Sequence, residues 1–538
     1  MKTLIPFFFL FLLFNLQFGK AQCNIDWSRP FANNDVIGSG IGLRETETRH
    51  NIQLDAQGNV YLGFQESADD YGVASLGPDG NIRWRANYNG SAGGMDVLTS
   101  IAVSPAANCY VTGYSAETDI GQAITTISYD SEGRMRWMDT FSGPDIVYGQ
   151  GQSIYVDQDE NVFLTGTVYR YGFFEDWVLI KYNAWGVRQW VKFFDRDLSS
   201  DRVAAVTGHP SGSQVFLIGT SMHAGSGEDI SVLSYAAASG NLLWEHHFDN
   251  PENIWNPDQG VAIATDSTGN VYAAGNSFAN PAYDIVLFKL RAADGSRQWL
   301  RRYNGALNSN DGVFDMAISP AGSTYLGGYT ANGSGGTSML TLKYNTNGSL
   351  VWENTFGNNT FRNDRISDIM LGGPNNSAFA AGSMSTPFNQ SFDLMLLEFD
   401  AATGNNLREC GAGLGFGSTL GITTGLAVAP SGDIYVGGRA QGGFTLVNYG
   451  PEQPNAVAEM HPALSVETFP NPCPGRLTVR CGASPIRAVE LYALDGRHIA
   501  AQVSISARQA EVGADYRGMA IVRVQTEKGM AVRKVVFE

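Results

Sequence analysis

Charge is scarce in this chain. Only 16% of its 538 residues are charged, while Gly numbers 63 and aromatics reach 11%, a profile of many strands and tight turns with few amphipathic helices. Basic residues are the scarcer sign, 35 against 52 acidic for a net charge of −17, which excludes a partner held by attraction to phosphate backbones or anionic lipid. Cysteine is rare and odd in number: Cys23, Cys109, Cys410, Cys473 and Cys481 leave at least one thiol unpaired in a monomer. Cys473 and Cys481 flank an apparent strand over residues 477–480 that would hold them too far apart to bridge, so no disulfide pairing is assigned. The seven histidines (50, 209, 223, 246, 247, 461 and 498) show no metal-ligand spacing, and neighbours on a strand such as His246 and His247 point to opposite faces. A Gly-x-Ser-x-Gly elbow, a phosphate loop and a Cys–His arrangement are all missing, which removes the commonest enzymatic signatures.

Long apolar runs are also missing, except at the start. Lys2, the apolar run over residues 4–14, and small Gly19 and Ala21 read as a secretory signal over residues 1–21, cleaved before Gln22. No other segment is apolar enough to span a membrane. Cys23 follows the cleavage site, but Gln22 stands where a lipidated Cys needs a small residue, so soluble export is expected.

What the chain does have is a repeat. An apolar pair, a turn with Gly, Asn or Asp, an aromatic and then Gly recur with anchor aromatics at Tyr61, Tyr110, Phe163, Phe216, Tyr272, Tyr325, Phe379 and Tyr435, spaced 49 to 56 residues apart. One period divides into four short strands, over residues 152–156, 161–166, 177–182 and 187–193 in the third copy, which is the pattern of a propeller blade. The fourth strand carries Trp84, Trp137, Trp190, Trp244, Trp299 and Trp352, with Arg408 at the seventh place. The eighth copy stops at Tyr449 without a fourth strand, and the missing piece is at the amino end around Trp27. The fold class expected is therefore all-β: an eight-bladed β-propeller over residues 22–450, closed by the N-terminal strand. Units such as Asp266 to Gly275, followed by Asp284 to Leu290, resemble the SBBP family of bacterial β-propeller repeats over about residues 24–450. The resemblance implies a propeller and brings no catalytic motif.

After residue 450 the pattern changes. Residues 451–463 read as a linker. Residues 464–538 carry Asn471 and Pro472, then short strands broken by a hairpin signal at Asp495 and Gly496 and another break at Gly518, the makings of a small Ig-like β-sandwich. These blocks, ending at the C-terminus, resemble the type A C-terminal sorting domain of the type IX secretion system, with Met519 and Ala520 standing where an aromatic often follows the Gly. That resemblance implies the secretion machinery as a partner and passage through the periplasm to the medium or to the outer-membrane surface of a Gram-negative bacterium.

Acidic residues gather in one set of loops. Asp96, Asp201, Asp258, Asp311 and Asp364 precede first strands, and Asp176, Asp229, Asp284 and Asp393 open third strands, so one face of the ring is expected to be negative. Asp side chains of this kind usually tie loop backbones together. The sharper reading is a cation site, with Ca²⁺ as the fitting ion, although no cofactor is required. Asp157 to Asn161 mimics the start of an EF-hand but lacks its later Gly and Glu. On the same face, Tyr169, Tyr171 and Phe173 in one loop and Trp255 in another, beside Asp176 and Asp229, form a candidate site for a glycan or protein ligand. The functional expectation is a secreted or cell-surface binding or structural module. The alternative is a carbohydrate-active enzyme, a glycoside hydrolase or lyase working through the loop carboxylates.

Overall fold

The computed structural model describes residues 25–31, 51–65, 70–171, 174–197, 200–250, 257–279, 281–357, 362–385, 392–411, 422–440, 443–450, 466–469, 473–481, 485–493, 498–526 and 529–537. The expected signal over residues 1–21, the linker over 451–463, Phe173, Trp255, Asn471, Pro472, Asp495 and Gly496 lie outside them. The chain divides into two compact units, residues 1–451 and 452–538. Among the described residues the regular elements are all β-strands.

The repeated phrase is first of all a turn. Asp266 Oδ1 accepts the backbone N–H groups of Thr268 and Asn270, both at 3.0 Å, and Asn270 Nδ2 donates to Asp266 Oδ2 at 2.9 Å. Gly269 supplies the φ of +85° that the turn needs, and the Tyr272 hydroxyl closes the loop on Asp266 Oδ2 at 3.3 Å. Asp55 holds Gln57, Asn59 and Tyr61 in the same way. These side-chain-to-backbone bonds fix where the first strand of a sheet ends and the second begins. The anchor aromatics all lie in second strands and are buried, as Phe163 is in Val162–Arg170 and Tyr325 in Thr324–Ala331.

The Gly that closes the phrase in other copies has a different cause. The first strand bulges opposite it, between Val313 and Asp315 where Val313 faces Gly328, and between Leu98 and Ser100 where Leu98 faces Gly113. The bulge swings a main-chain carbonyl over the glycine. A Cβ at residue 328 would stand 1.9 Å from the Gly312 oxygen, and one at residue 113 would stand 1.9 Å from the Val97 oxygen, so no side chain fits there.

Strands pair antiparallel in chain order, as in Arg202–Gly208, Gln214–His223, Gly227–Ala236 and Leu242–Phe248. In the third repeat the strands are Ile146–Val156, Val162–Arg170, Glu175–Tyr182 and Arg188–Phe194. The first two run further than apolar alternation suggests, because Tyr148 pairs with Tyr169 beyond the glycines and the two rings stack with centroids 5.4 Å apart. That sheet joins its predecessor through a single parallel bridge, Tyr148 to Gln122. In the first unit one sheet departs from chain order: Ile25–Pro30 pairs antiparallel with Gly443–Tyr449, outside Ile434–Ala440 and Ile422–Val428. First strands pack on one another in succession from Ile52–Leu54 and Val97–Val103 onward, and Ile422–Val428 packs back on Ile52–Leu54. Four-stranded antiparallel sheets packed in this succession make a β-propeller.

Outer strands are locked by tryptophan. Trp244 Nε1 donates to the Ala292 oxygen at 2.7 Å in the next sheet's outer turn. Its ring covers Gly295, whose φ is +68° and where a Cβ would lie 2.6 Å from the indole. Trp84, Trp137, Trp299 and Trp352 donate in the same way to Ser131, Ala184, Thr346 and Ala401. Arg408, at the Trp position of its sheet, is buried with Nη2 2.8 Å from Glu398 Oε2 and Nη1 donating to the Gly450 oxygen at 3.0 Å.

One sulfur differs from the sequence expectation. Cys410, for which no pairing could be assigned, is disulfide-bonded, while Cys109 and Cys481 are buried reduced thiols and the buried Cys473 Sγ donates to the Val536 oxygen at 3.3 Å.

The second unit has two four-stranded sheets. One orders Val466–Phe469, Arg476–Cys481, Gln509–Gly513 and Gln502–Ser506, and the other His498–Ile499, Ile486–Ala493, Gly518–Thr526 and Gly529–Phe537. Leu477, Val479, Leu491, Val522, Val524 and Phe537 share its apolar core. Gly518 starts its strand at a φ of +116°.

Candidate functional site

The acidic loops hold their carboxylates inward. The aspartates before first strands are buried and work as staples. Asp96 accepts the N–H of Gly90 at 2.6 Å and of Ala116 at 2.8 Å, and Asp201 accepts those of Arg196 at 2.7 Å and Met222 at 3.0 Å. Asp311 accepts the Gly305 N–H at 2.5 Å and the Thr330 hydroxyl at 2.6 Å. Each ties the incoming loop of one sheet to the end of its second strand. Asp157 is another turn former, accepting the N–H of Asp159 at 2.9 Å and of Asn161 at 2.8 Å, and its carboxylate is spent on that turn.

Three of the aspartates that open third strands, Asp176, Asp229 and Asp284, meet arginines instead. Asp176 is buried against Arg170, whose Nε donates to its Oδ2 at 2.5 Å. Asp229 is buried between Arg196 Nη1 and the Ser226 hydroxyl, both at 2.8 Å. Asp284 lies 3.4 Å from Arg302 Nη1. The sequence reading had found the carboxylates and missed these arginines, which sit one strand or one loop away with no fixed spacing to reveal them.

Asp176, Asp195 and Asp201 each bring one carboxylate oxygen within 4.8 Å of the others. Burial pushes Asp201 up to about 7, assisted by the charges of Asp195 and Asp176 and opposed by its two backbone donors, and burial also raises Asp176 despite Arg170. Asp258 is pushed up to about 6, again chiefly by burial. A carboxyl raised on folding takes up a proton, so its contribution to stability is greatest near pH 4 and falls as pH rises towards 7. The buried imidazole of His246, held down to about 4 by desolvation, acts in the opposite sense as pH falls below 6.5. A comparison of two proteins separates them. Relative to the parent chain, Asp195→Asn is expected to gain stability as pH rises from 5 to 8, by a few kcal/mol at most, because Asp201 then ionises more easily. Parallel melting-temperature profiles for the two would show that these carboxyls do not share charge.

The aromatic candidates divide. Tyr169 is stacked on Tyr148, whose hydroxyl donates to Glu175 Oε1 at 2.7 Å, while Arg202 Nε donates to Glu175 Oε2 at 3.0 Å. Tyr171 is 79% exposed and Phe174 53%. Its main chain is nonetheless fixed, because the Tyr171 N–H donates to the Asp145 oxygen at 2.7 Å. Tyr169, Tyr171 and Asp176 thus share the connection between Val162–Arg170 and Glu175–Tyr182, while Asp229 belongs to the following sheet.

Two arrangements escaped the sequence reading. The Ser231 hydroxyl shares a hydrogen bond with His247 Nδ1 at 2.6 Å, and His247 Nε2 lies 3.3 Å from Glu245. The order resembles a hydrolase triad, but Ser231 is fully buried and its Oγ is 2.5 Å from Ser221 Oγ, so no acyl group can approach it. An open cleft of about 530 Å³ lies among turn residues including His209, Gln214, Thr268, Asn270 and Arg291. These are ordinary turn residues in sequence, and nothing in their spacing marks a cavity.

No family model matches the chain, and no curated protein matches it. Among solved structures it is similar to quinohemoprotein alcohol dehydrogenase from Comamonas testosteroni, at 12% identity and TM-score 0.47 over 79% of this chain and 76% of that one. It is also similar to Sqt1 from Chaetomium thermophilum, solved with the N-terminus of ribosomal protein L10, at 12% identity and TM-score 0.49 over 79% and 100%. BamB from Moraxella catarrhalis matches at 11% identity and TM-score 0.33 over 80% and 100%. Nothing of their chemistry passes to this chain at such values. No helix among the described residues is long and apolar enough to cross a membrane.

Proposed function

We propose that the chain is a secreted or cell-surface binding module: an SBBP-type propeller of eight blades closed by its N-terminal strand, followed by an Ig-like sandwich that serves as a type IX sorting domain. The eight anchor aromatics, the succession of first strands and the pairing of Ile25–Pro30 with Gly443–Tyr449 support the blade count and closure. The order of the blocks between Asn471 and the C-terminus supports the export route, through the periplasm to the medium or the outer-membrane surface.

One observation favours binding over catalysis. The carboxylates around the aromatic loop are already committed, Asp176 to Arg170, Asp201 to two backbone amides, and Glu175 to Tyr148 and Arg202. Glycoside hydrolysis needs one carboxyl free to donate a proton and another free to attack or to activate water. Held aromatics with an exposed face suit a sugar ring or a protein side chain instead. Tyr171→Ala in the mature full-length protein is expected to weaken retention on a glycan array about tenfold, with stability changed by less than about 0.5 kcal/mol. Unchanged retention would remove this loop from the binding surface, and release of reducing sugar from a polysaccharide panel would favour the enzyme.

No cofactor is needed for this role. A Ca²⁺ ion at Asp176, Asp195 and Asp201 would compete with Arg170 for the Asp176 carboxylate, so millimolar calcium is expected to leave the melting temperature unchanged. A rise of several degrees would restore a metal site.

A further inference from the structure

We propose that the open cleft between the turns of the fourth and fifth repeats is a second binding site, and that it takes a sugar unit carrying a carboxylate, such as a uronic acid. It stands apart from the aromatic loop. On one side His209 and Gln214 bracket the turn between Arg202–Gly208 and Gln214–His223, and on the other Arg291, Ala292 and Ala293 follow the third strand of the next sheet, Tyr283–Leu290. Tyr171 instead follows a second strand, Val162–Arg170. Consecutive connections of an antiparallel sheet alternate between its two ends, so the cleft opens at the opposite end of the sheets from Tyr171.

Two departures from the repeat meet in this cleft. Asp55, Asp157 and Asp266 open the turn after their first strands, and their carboxylates accept N–H groups of that turn. His209 holds the place in the fourth copy, its N–H donating across the turn to the Gln214 oxygen at 2.9 Å. Its Nδ1 accepts the Ser211 N–H at 3.1 Å, so the ring hydrogen resides on Nε2. A Cβ at residue 269 would stand 1.9 Å from that nitrogen, and the glycine leaves it uncovered between Thr268 and Asn270. The outer turns show the same exchange. Asp130, Asn183, Asn345 and Asp400 each accept N–H groups of their own turn, but Arg291 holds the place in the fifth copy, its N–H donating across the turn to the Ser296 oxygen. At both places an acceptor that serves the turn has given way to a side chain with a donor to spare, and both line one cavity.

The lining selects the ligand. The Arg291 side chain is 61% exposed, and its Nη1 lies 3.8 Å from Asp294 Oδ2, beyond hydrogen-bond length. Asp294 is occupied by its own turn, where Oδ1 accepts the Ser296 N–H at 3.0 Å and the Ser296 hydroxyl at 2.6 Å. The planar guanidinium fork is therefore open to a carboxylate. The Gln214 amide in the same lining offers a donor and an acceptor side by side, the pair that adjacent sugar hydroxyls need. Leu243, 47% exposed, together with Ala292 and Ala293, gives an apolar border for the C–H face of a ring. At about 530 Å³ the cleft is far larger than a lone carboxylate and has the size of a small-ligand site.

Titration of the mature full-length protein with trigalacturonate, followed by ligand-observed NMR and calorimetry, tests the site. Binding is expected with a Kd below about 1 mM, weakening as salt rises, and the methyl ester of the same trisaccharide should bind at least about tenfold more weakly. Arg291→Gln should weaken trigalacturonate binding about tenfold or more and Gln214→Ala severalfold, with melting temperatures like the parent's because neither side chain is buried. Tyr171→Ala should leave this binding unchanged, so the two sites fail separately. Absence of binding at about 10 mM, equal affinity for the ester, or parental affinity in either cleft variant would overturn the proposal. Loss of this binding in Tyr171→Ala would overturn it too, by moving the sugar to the aromatic loop. Should Arg291→Gln melt early, the comparison of acid and ester on the parent protein still decides.

Discussion

Gly328→Ala lowers the unfolding free energy by about 3 kcal/mol or more, the upper part of the range for overpacking a rigid interior. The neighbour is not a side chain that can rotate away: the added methyl would stand 1.9 Å from the Gly312 oxygen and 2.9 Å from the Gly312 carbonyl carbon. Relief requires the bulge between Val313 and Asp315 to straighten, and straightening slips the first strand by one residue against its partner, turning its buried side chains to the wrong face. Gly333→Ala is the control. A Cβ at residue 333 meets nothing within 4 Å, so the change is expected to stay within about 0.5 kcal/mol. Equal midpoints for the two variants in urea would show that the bulge does not dictate the glycine.

Trp244→Ala is expected to lose about 3 to 5 kcal/mol. The indole fills the space over Gly295 in the next sheet and donates to Ala292, so truncation opens a cavity at a junction and strands a carbonyl. Substitution by Phe divides the two effects. Trp244→Phe keeps most of the packing and loses the hydrogen bond, worth about 1 kcal/mol. Trp190 stands at the matching position, over Gly240, but its Nε1 is buried without a partner. Trp190→Phe should therefore be close to neutral. If the two Phe variants melt together, the hydrogen bond to the outer turn contributes nothing and packing alone holds the outer strands.

Residues of three such types explain why the all-β architecture was legible in sequence. A glycine forced by a bulge, an aspartate forced by a turn and a tryptophan that must reach the next outer turn are each set by backbone geometry, so they recur wherever the geometry recurs. Asp55 and Asp266 hold the same donors in two copies 211 residues apart, and the phrase around them could be read without coordinates. Strand ends were less legible. Tyr148 and Tyr169 extend their ladder through a stacking contact across strands, which no local alternation reports. The candidate site was least legible, because its character depends on groups that meet only in space. Asp176 and Asp229 look alike in sequence to any open carboxylate, and it is Arg170 and Arg196 that neutralise them. Tyr171 could be chosen from its loop, but its main chain is held by the Asp145 oxygen, which comes from before the first strand of the sheet. The disulfide at Cys410 was hidden for the same reason, since its environment is built from Tyr449 and its neighbours, residues far along the chain.

The account depends most on the amino terminus supplying the outer strand of the sheet that ends at Tyr449. Pro30 faces Thr445 in that pairing, and Pro at an edge strand withholds no ladder donor that a neighbour needs. A double variant, Pro30→Cys with Thr445→Cys, oxidised and mapped by mass spectrometry, should give a peptide joining residues 30 and 445. Two separately alkylated peptides, from protein that melts like the parent, would contradict the closure.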